Sequence, residues 1–148
     1  MYCVIPNALY AGSTEKATNI AKLQKHSITH VIGLTTNQPI TYPNIKYECV
    51  RNICVQDNPQ ENIYLHFREV GNIIHSALML GGRVLIHCHN GVNLSPSFVI
   101  AYLMQHKKLN FNESLEVLRK SYPAANPHSS YVEQLEFFDY DLNKMEIC

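Results

Sequence analysis

A chain of 148 residues can bury about two thirds of the surface that it exposes when unfolded, and residues 1–148 read as one domain with no room for a second core. Twelve basic residues balance twelve acidic ones without a long block of either sign, which leaves nucleic acid and membrane surfaces with no electrostatic footprint. Five cysteines, an odd count without C-x-x-C spacing, fit a reducing compartment better than a disulfide framework.

The start, Met1 to Pro6, lacks the charged opening and long apolar stretch of a signal peptide, and apolar runs such as Phe98 to Met104 fall far short of a membrane span. A cytoplasmic or nuclear location is therefore expected. Ile5 to Gly12 reads as a short edge strand with Pro6 tolerated near its start. Thr14 to His26 carries Ala17, Ile20, Ala21 and Leu23 at helical spacing, with Ser13 or Thr14 as the cap. A strand over Thr29 to Leu34 follows. After a loop from Thr35 to Asn44, Ile45 to Val50 and Ile53 to Val55 again read as strand.

Asp57-Asn58-Pro59 breaks that strand, and Asn62 to Leu80 predicts a long helix ended by Gly81-Gly82. Downstream, Ser95 reads as the cap of a helix with Pro96 in its first turn and Phe98, Val99, Tyr102 and Leu103 as the buried face. Asn112 is taken as the cap of another helix through Leu118. Pro127 opens the last one, with Tyr131, Leu135, Phe138 and Leu142 as its stripe. Strands alternating with helices that dominate the second half predict an α/β fold with a sheet covered on both faces.

The most informative stretch runs from Arg83 to Ser97. Val84 to His87 is a strand that ends at Cys88, a short loop holds Gly91, and a helix begins at Ser95-Pro96. A strand-loop-helix unit of this kind turns backbone N–H groups and the positive end of a helix dipole toward one spot, which makes an anion site. A cysteine at its lip is stabilised as thiolate. The plainer readings are a small apolar core residue for Cys88 and a turn residue for Asp57. His87-Cys88-His89 suggests zinc, but adjacent residues rarely converge on one ion and no second ligand pair is suitably spaced, so no metal is expected.

His87-Cys88, five residues, then Leu94-Ser95 resembles the signature of cysteine-dependent phosphatases with its arginine replaced. The chain is similar to the atypical dual-specificity phosphatases over nearly its whole length. Within them, residues 23–30, 57–63, 81–87 and 98–102 look like the serine/threonine/tyrosine-interacting pseudophosphatases. Those proteins lack the nucleophilic cysteine and keep the arginine, the opposite of this chain. The resemblance implies a central mixed, mostly parallel sheet flanked by helices and no cofactor. It further implies Cys88 as nucleophile, Asp57 as general acid and then base, and Ser95 as the hydroxyl that helps the thiolate depart. The loop from His89 through Asn90, Gly91, Val92, Asn93 and Leu94 to Ser95 would hold phosphate oxygens, with His87 and Asn126 as supports; Asn126 also reads as a plain helix cap.

Leu94 stands where the arginine would be. Leucine has neither charge nor donors, and an arginine acting on a transferring phosphoryl group is worth roughly 10³–10⁵ in rate. The expectation is a pseudophosphatase, most simply a monomer, that binds phosphoproteins or MAP-kinase-type signalling partners. A weakly active phosphatase using Cys88 is the alternative, and an interaction domain indifferent to the old pocket a third. The shortness of the chain implies a shallow pocket open to phosphoserine and phosphothreonine as well as phosphotyrosine. Two further expectations are that Cys88 is alkylated more readily than Cys49 or Cys54, and that Asp57→Asn costs little stability.

Overall fold

A computed structural model describes residues 1–36 and 40–147. Its sheet has five strands, β1 (Tyr2–Ile5), β2 (Leu9–Ser13), β3 (His30–Leu34), β4 (Val50–Ile53) and β5 (Val84–Cys88), in the order β1-β2-β5-β3-β4. β1 runs antiparallel to β2, and every other neighbouring pair is parallel. This is the expected α/β fold with a mixed, mostly parallel sheet.

The helices are α1 (Thr14–Ala17), α2 (Ile20–Lys25), α3 (Tyr64–Met79), α4 (Leu94–Lys107), α5 (Phe111–Ser121) and α6 (Ser129–Ile147). Alternation along β5 divides the core between the two faces of the sheet. Val84, Ile86 and Cys88 join Phe67, Ile74, Phe98, Leu118, Leu135 and Phe138 under α3 to α6. Leu85 faces the other way, with Ala17, Leu23 and Tyr42. Burial on both faces is why Val84 to Ile86 is apolar without interruption. Among the described residues no helix is long and apolar enough to cross a membrane.

Several sequence expectations need correction. Ile5 to Gly12 is two strands: the chain turns through Pro6 and Asn7, which has φ 61°, so β1 is the edge and β2 lies inside the sheet. The helix expected from Thr14 to His26 is broken, because the Thr18 hydroxyl bonds back to the Thr14 and Glu15 carbonyls and the Asn19 side chain caps α2 at the Lys22 N–H. Ser13 caps α1. Ile45 to Val50 is not a strand: Tyr47–Cys49 is a 3-10 turn and β4 starts at Val50. Asn110 rather than Asn112 caps α5, through a reciprocal pair of bonds with Glu113. Ser95 lies within α4, not at its cap; Asn93 precedes the helix and makes no side-chain cap bond. Residues 94–104 are buried all round, so α4 is a central helix without a single buried face. Asn126 caps no helix either, since α6 begins at Ser129.

Candidate active site

β5 occupies the middle of the sheet, between β2 and β3, and delivers Cys88 at its C-terminal end opposite Ser13. Ligands of parallel sheets bind at this end of the strands. The loop that follows is fastened on several sides. The Thr14 N–H donates to the His89 carbonyl (3.3 Å), the Val92 N–H to the Asn90 side chain (2.9 Å) and the Asn126 N–H to the Val92 carbonyl (3.1 Å). Gly91 has φ 79°, and a Cβ there would stand 3.0 Å from the carbonyl carbon of Gly12. Only glycine lets the loop lie this close to β2 in that conformation.

Three groups converge on the Cys88 sulfur. The Gly91 N–H donates to Sγ over 3.2 Å, the Ser95 N–H over 3.4 Å, and the Ser95 hydroxyl lies 3.4 Å away. The positive end of α4 points the same way. Cys88 and Ser95 have no exposed surface, whereas His89 and Asn90 form an exposed rim. Burial bears on the alkylation expectation: Cys54 is exposed and Cys88 is not, so thiolate character and access act in opposite directions.

His87 points to the other face of the sheet. Its Nε2 is 2.7 Å from the Tyr42 hydroxyl and its Nδ1 3.2 Å from Thr14 Oγ1, which also donates to the Cys88 carbonyl. One arrangement satisfies all these groups: Nδ1–H donates to Thr14 and Tyr42 donates to Nε2. Burial lowers the His87 pKa to about 4, keeping the ring neutral, and raises that of Tyr42 to about 12. β3 makes room through Gly33, where a Cβ would meet the Tyr42 hydroxyl at 2.7 Å and His87 Nε2 at 3.2 Å. His87 thus joins β5 to α1 and to the segment around Tyr42.

Asp57 lies on the loop after β4, and α6 holds it. The Tyr131 hydroxyl is 3.1 Å from Asp57 Oδ1, and His128 Nε2 is 3.5 Å from the same oxygen. Tyr131 also accepts the Asn58 N–H over 2.8 Å. Burial, and next the nearby Asp57 charge, raise the Tyr131 pKa, so the phenol stays protonated. Among the described contacts the carboxylate engages α6 and not the Cys88 loop. Asn126 meets that loop through its backbone amide, while its side chain is on an exposed residue. Leu94 is the first residue of α4, 1% exposed, and belongs to the large apolar cluster. The position expected to carry a cation is filled by a packed alkyl group.

Sequence reasoning missed four residues. Tyr42 and Tyr131 meet the site from far away in the chain; Tyr131 reads in the sequence only as part of the apolar stripe of the last helix, and nothing near Tyr42 marks it. Arg119 directs Nε and Nη2 at the Ala125 carbonyl, both over 3.2 Å, which fixes the segment that presents the Asn126 amide. Tyr2 of β1 donates its hydroxyl to the Gly91 carbonyl over 2.9 Å and stacks on Tyr122, with ring centroids 3.7 Å apart. An aromatic residue at the start of an edge strand was the available hint for Tyr2.

The family model described as "Dual specificity phosphatase, catalytic domain" matches residues 9–140. Mouse dual specificity protein phosphatase 15 is 36% identical over 137 residues, which cover 93% of this chain and 57% of the relative. A solved structure of DUSP15 superposes with a TM-score of 0.86 at 31% identity, covering 97% of this chain and 92% of that one. The human tyrosine phosphatase-like serine/threonine/tyrosine-interacting protein gives a TM-score of 0.83 at 26% identity, covering 100% and 98%. The chain spans little more than half the length of the mouse relative. It belongs to the dual specificity phosphatase family.

Proposed function

We propose that this domain is a pseudophosphatase, which keeps the family's anion-binding loop without the cation that turnover requires and acts by binding phosphoproteins or signalling partners. In this reading it is grouped, within the family, with the serine/threonine/tyrosine-interacting pseudophosphatases. The observation that carries it is Leu94, a core residue at the head of α4 in place of a phosphate-gripping arginine. Backbone amides remain for the equatorial oxygens, but they supply partial charges in a fixed array. A guanidinium would supply a full charge in a fork that follows those oxygens into the transition state. Its absence is expected to cost at least about a thousandfold in rate, or about 4 kcal/mol of barrier. MAP-kinase-type partners are among those that fit, in the cytoplasm or the nucleus.

A second reading is a slow phosphatase, favoured by the Ser95 hydroxyl lying 3.4 Å from the Cys88 sulfur. In it, the Cys88 thiolate attacks phosphorus and the departing alcohol takes its proton from Asp57. Water then attacks the phosphocysteine with Asp57 as base, and Ser95 donates to the departing sulfur. One series of measurements separates the two. It takes kcat/KM on an aryl phosphate for the wild type and Leu94→Arg, with Cys88→Ser as the zero, alongside calorimetric binding of a phosphopeptide and its unphosphorylated twin. The pseudophosphatase reading expects wild-type turnover at the Cys88→Ser zero, selective phosphopeptide binding, and at least a tenfold gain in Leu94→Arg if that variant folds. Wild-type turnover well above the zero overturns it in favour of the slow enzyme. Equal binding of both peptides leaves only the interaction-domain reading.

A further inference from the structure

We propose that the groove between α3 and the edge strand β4 is a docking site for an amphipathic helix of a partner protein, about three turns long, with basic residues along its flanks. β4 ends the sheet on this side, and α3 forms the helical wall of the groove. Helices ordinarily cover both faces of a mostly parallel sheet, yet among the described residues no helix other than α3 lines this groove. The space left open is about 760 Å³, within the roughly 300–1,000 Å³ of ligand-binding clefts. Ile32, Ala77 and Val84, all buried, line its inner side. α3 also turns a second face to it: Glu69, Ile73, Ser76 and Leu80 recur at helical spacing, with Ile73 half-buried and Leu80 exposed. At 1.5 Å per residue that face is roughly 17 Å long, or about three turns.

Charge decides the kind of helix. Glu48, from the 3-10 turn before β4, and Glu69, from α3, bring exposed carboxylates to opposite walls, and among the described residues neither is in an ion pair. Arg51 also lines the groove, with its Nη1 spent on the Glu48 and Val50 carbonyls, each over 3.2 Å. His30 is the remaining titratable base, and burial, then the Arg51 charge, lower its pKa, so the ring is neutral at neutral pH. Two carboxylates against one guanidinium leave the groove net negative beside apolar surface, the complement of an apolar helix face with basic flanks. Arg51 also argues against an added strand, because it occupies a carbonyl of the edge strand. The groove meets β5 at Val84, the opposite end of the strand from Cys88. A docked helix therefore leaves the Cys88 loop open, and the proposal stands whether or not that loop binds phosphate.

Cys49 lines the groove and the exposed Cys54 does not, so the chain carries its own reporter and control. The probe is a synthetic library of peptides three to four helical turns long, with leucine on one face and Lys, Glu or Ser on the flanks. Binding to the full chain is followed by fluorescence anisotropy, and iodoacetamide labelling of the two cysteines by mass spectrometry. The expected result is enrichment of Lys-flanked helices that slow labelling of Cys49 and leave Cys54 unchanged. Glu48→Lys combined with Glu69→Lys should weaken their binding roughly threefold to tenfold; both side chains are exposed, and circular dichroism checks that the fold is kept. Glu-flanked peptides binding as well as Lys-flanked ones overturn the proposal, as does a library that yields no binder protecting Cys49. Binding that survives a proline in the middle of the peptide also overturns it, since the occupant would then be an extended segment. So does sedimentation that shows a dimer dissolved by Leu80→Glu, which would make the occupant a second copy of this chain.

Discussion

Lowering the pH from neutral should destabilise the fold through His87 in particular. The ring is fully buried, with a hydrogen-bond partner on each nitrogen, and burial holds its pKa near about 4 against an ordinary 6.5. Between those values the unfolded chain takes up a proton that the folded one refuses, so the stabilisation present above the unfolded value is lost as pH falls. Full protonation of the unfolded side chain before the native one amounts to about 3 kcal/mol, at 1.4 kcal/mol per tenfold in protonation. His26, His30 and His106 are also lowered and add slope of the same sign, so wild type alone does not isolate the term. The comparison is with His87→Gln, followed by urea unfolding across this range at constant slope in denaturant. The variant should be less stable at neutral pH, because Tyr42 and Thr14 lose their fitted partner, yet its stability should fall less steeply with acid. Parallel curves for the two proteins would refute the assignment of a neutral, proton-refusing His87.

Three further outcomes follow from the supports of the loops. Asp57→Asn should cost under about 1 kcal/mol in urea unfolding, because the amide oxygen still accepts from Tyr131 and only the partly exposed pairing with His128 is lost. Tyr131→Phe should cost about 1–3 kcal/mol, since the buried hydroxyl also accepts the Asn58 amide; equal costs for the two would contradict this. Arg119→Ala should leave the global unfolding free energy within about 1 kcal/mol while speeding hydrogen exchange at the Asn126 amide, and unchanged protection there would remove Arg119 from the loop's support.

What was legible in the sequence divides along physical lines. The apolar run of β5, the glycine that bends the loop and the proline in the first turn of α4 are local signals, and they placed Cys88, Gly91 and Ser95 together. Side chains that bond to their own backbone were harder to read. Thr18 and Asn19 break a helix whose apolar spacing continues through them, and Asn110 outcompetes Asn112 because Glu113 sits at the reciprocal position. Least legible were contacts between distant segments: Tyr42 with His87 and Tyr131 with Asp57 depend on the packed fold, and no spacing rule links residues 45 or 74 apart. The Asp57 loop illustrates the consequence. Its turn chemistry and its value as an acid looked like alternatives, but the structure ties the same carboxylate to α6 in a way compatible with both.

In the proposed reading, Leu94 separates two jobs that one phosphate-binding loop usually performs together. The loop's shape is held by Gly91 against β2, by the Asn126 amide, by Thr14 and by Tyr2, none of which involves the side chain at 94. Stabilisation of a moving phosphoryl group would depend on a charge at that position, where an alkyl group is instead packed into the core under α4. In that reading, the lack of a cation at position 94 need not disturb the donors around Cys88. A shape kept by contacts independent of the chemistry can outlast it and remain available for recognising an anion. The same independence makes Leu94→Arg an informative reversal: the backbone cradle is already formed, and the remaining question is whether a guanidinium can leave the apolar core, where it would be costly, for the anion site beside it.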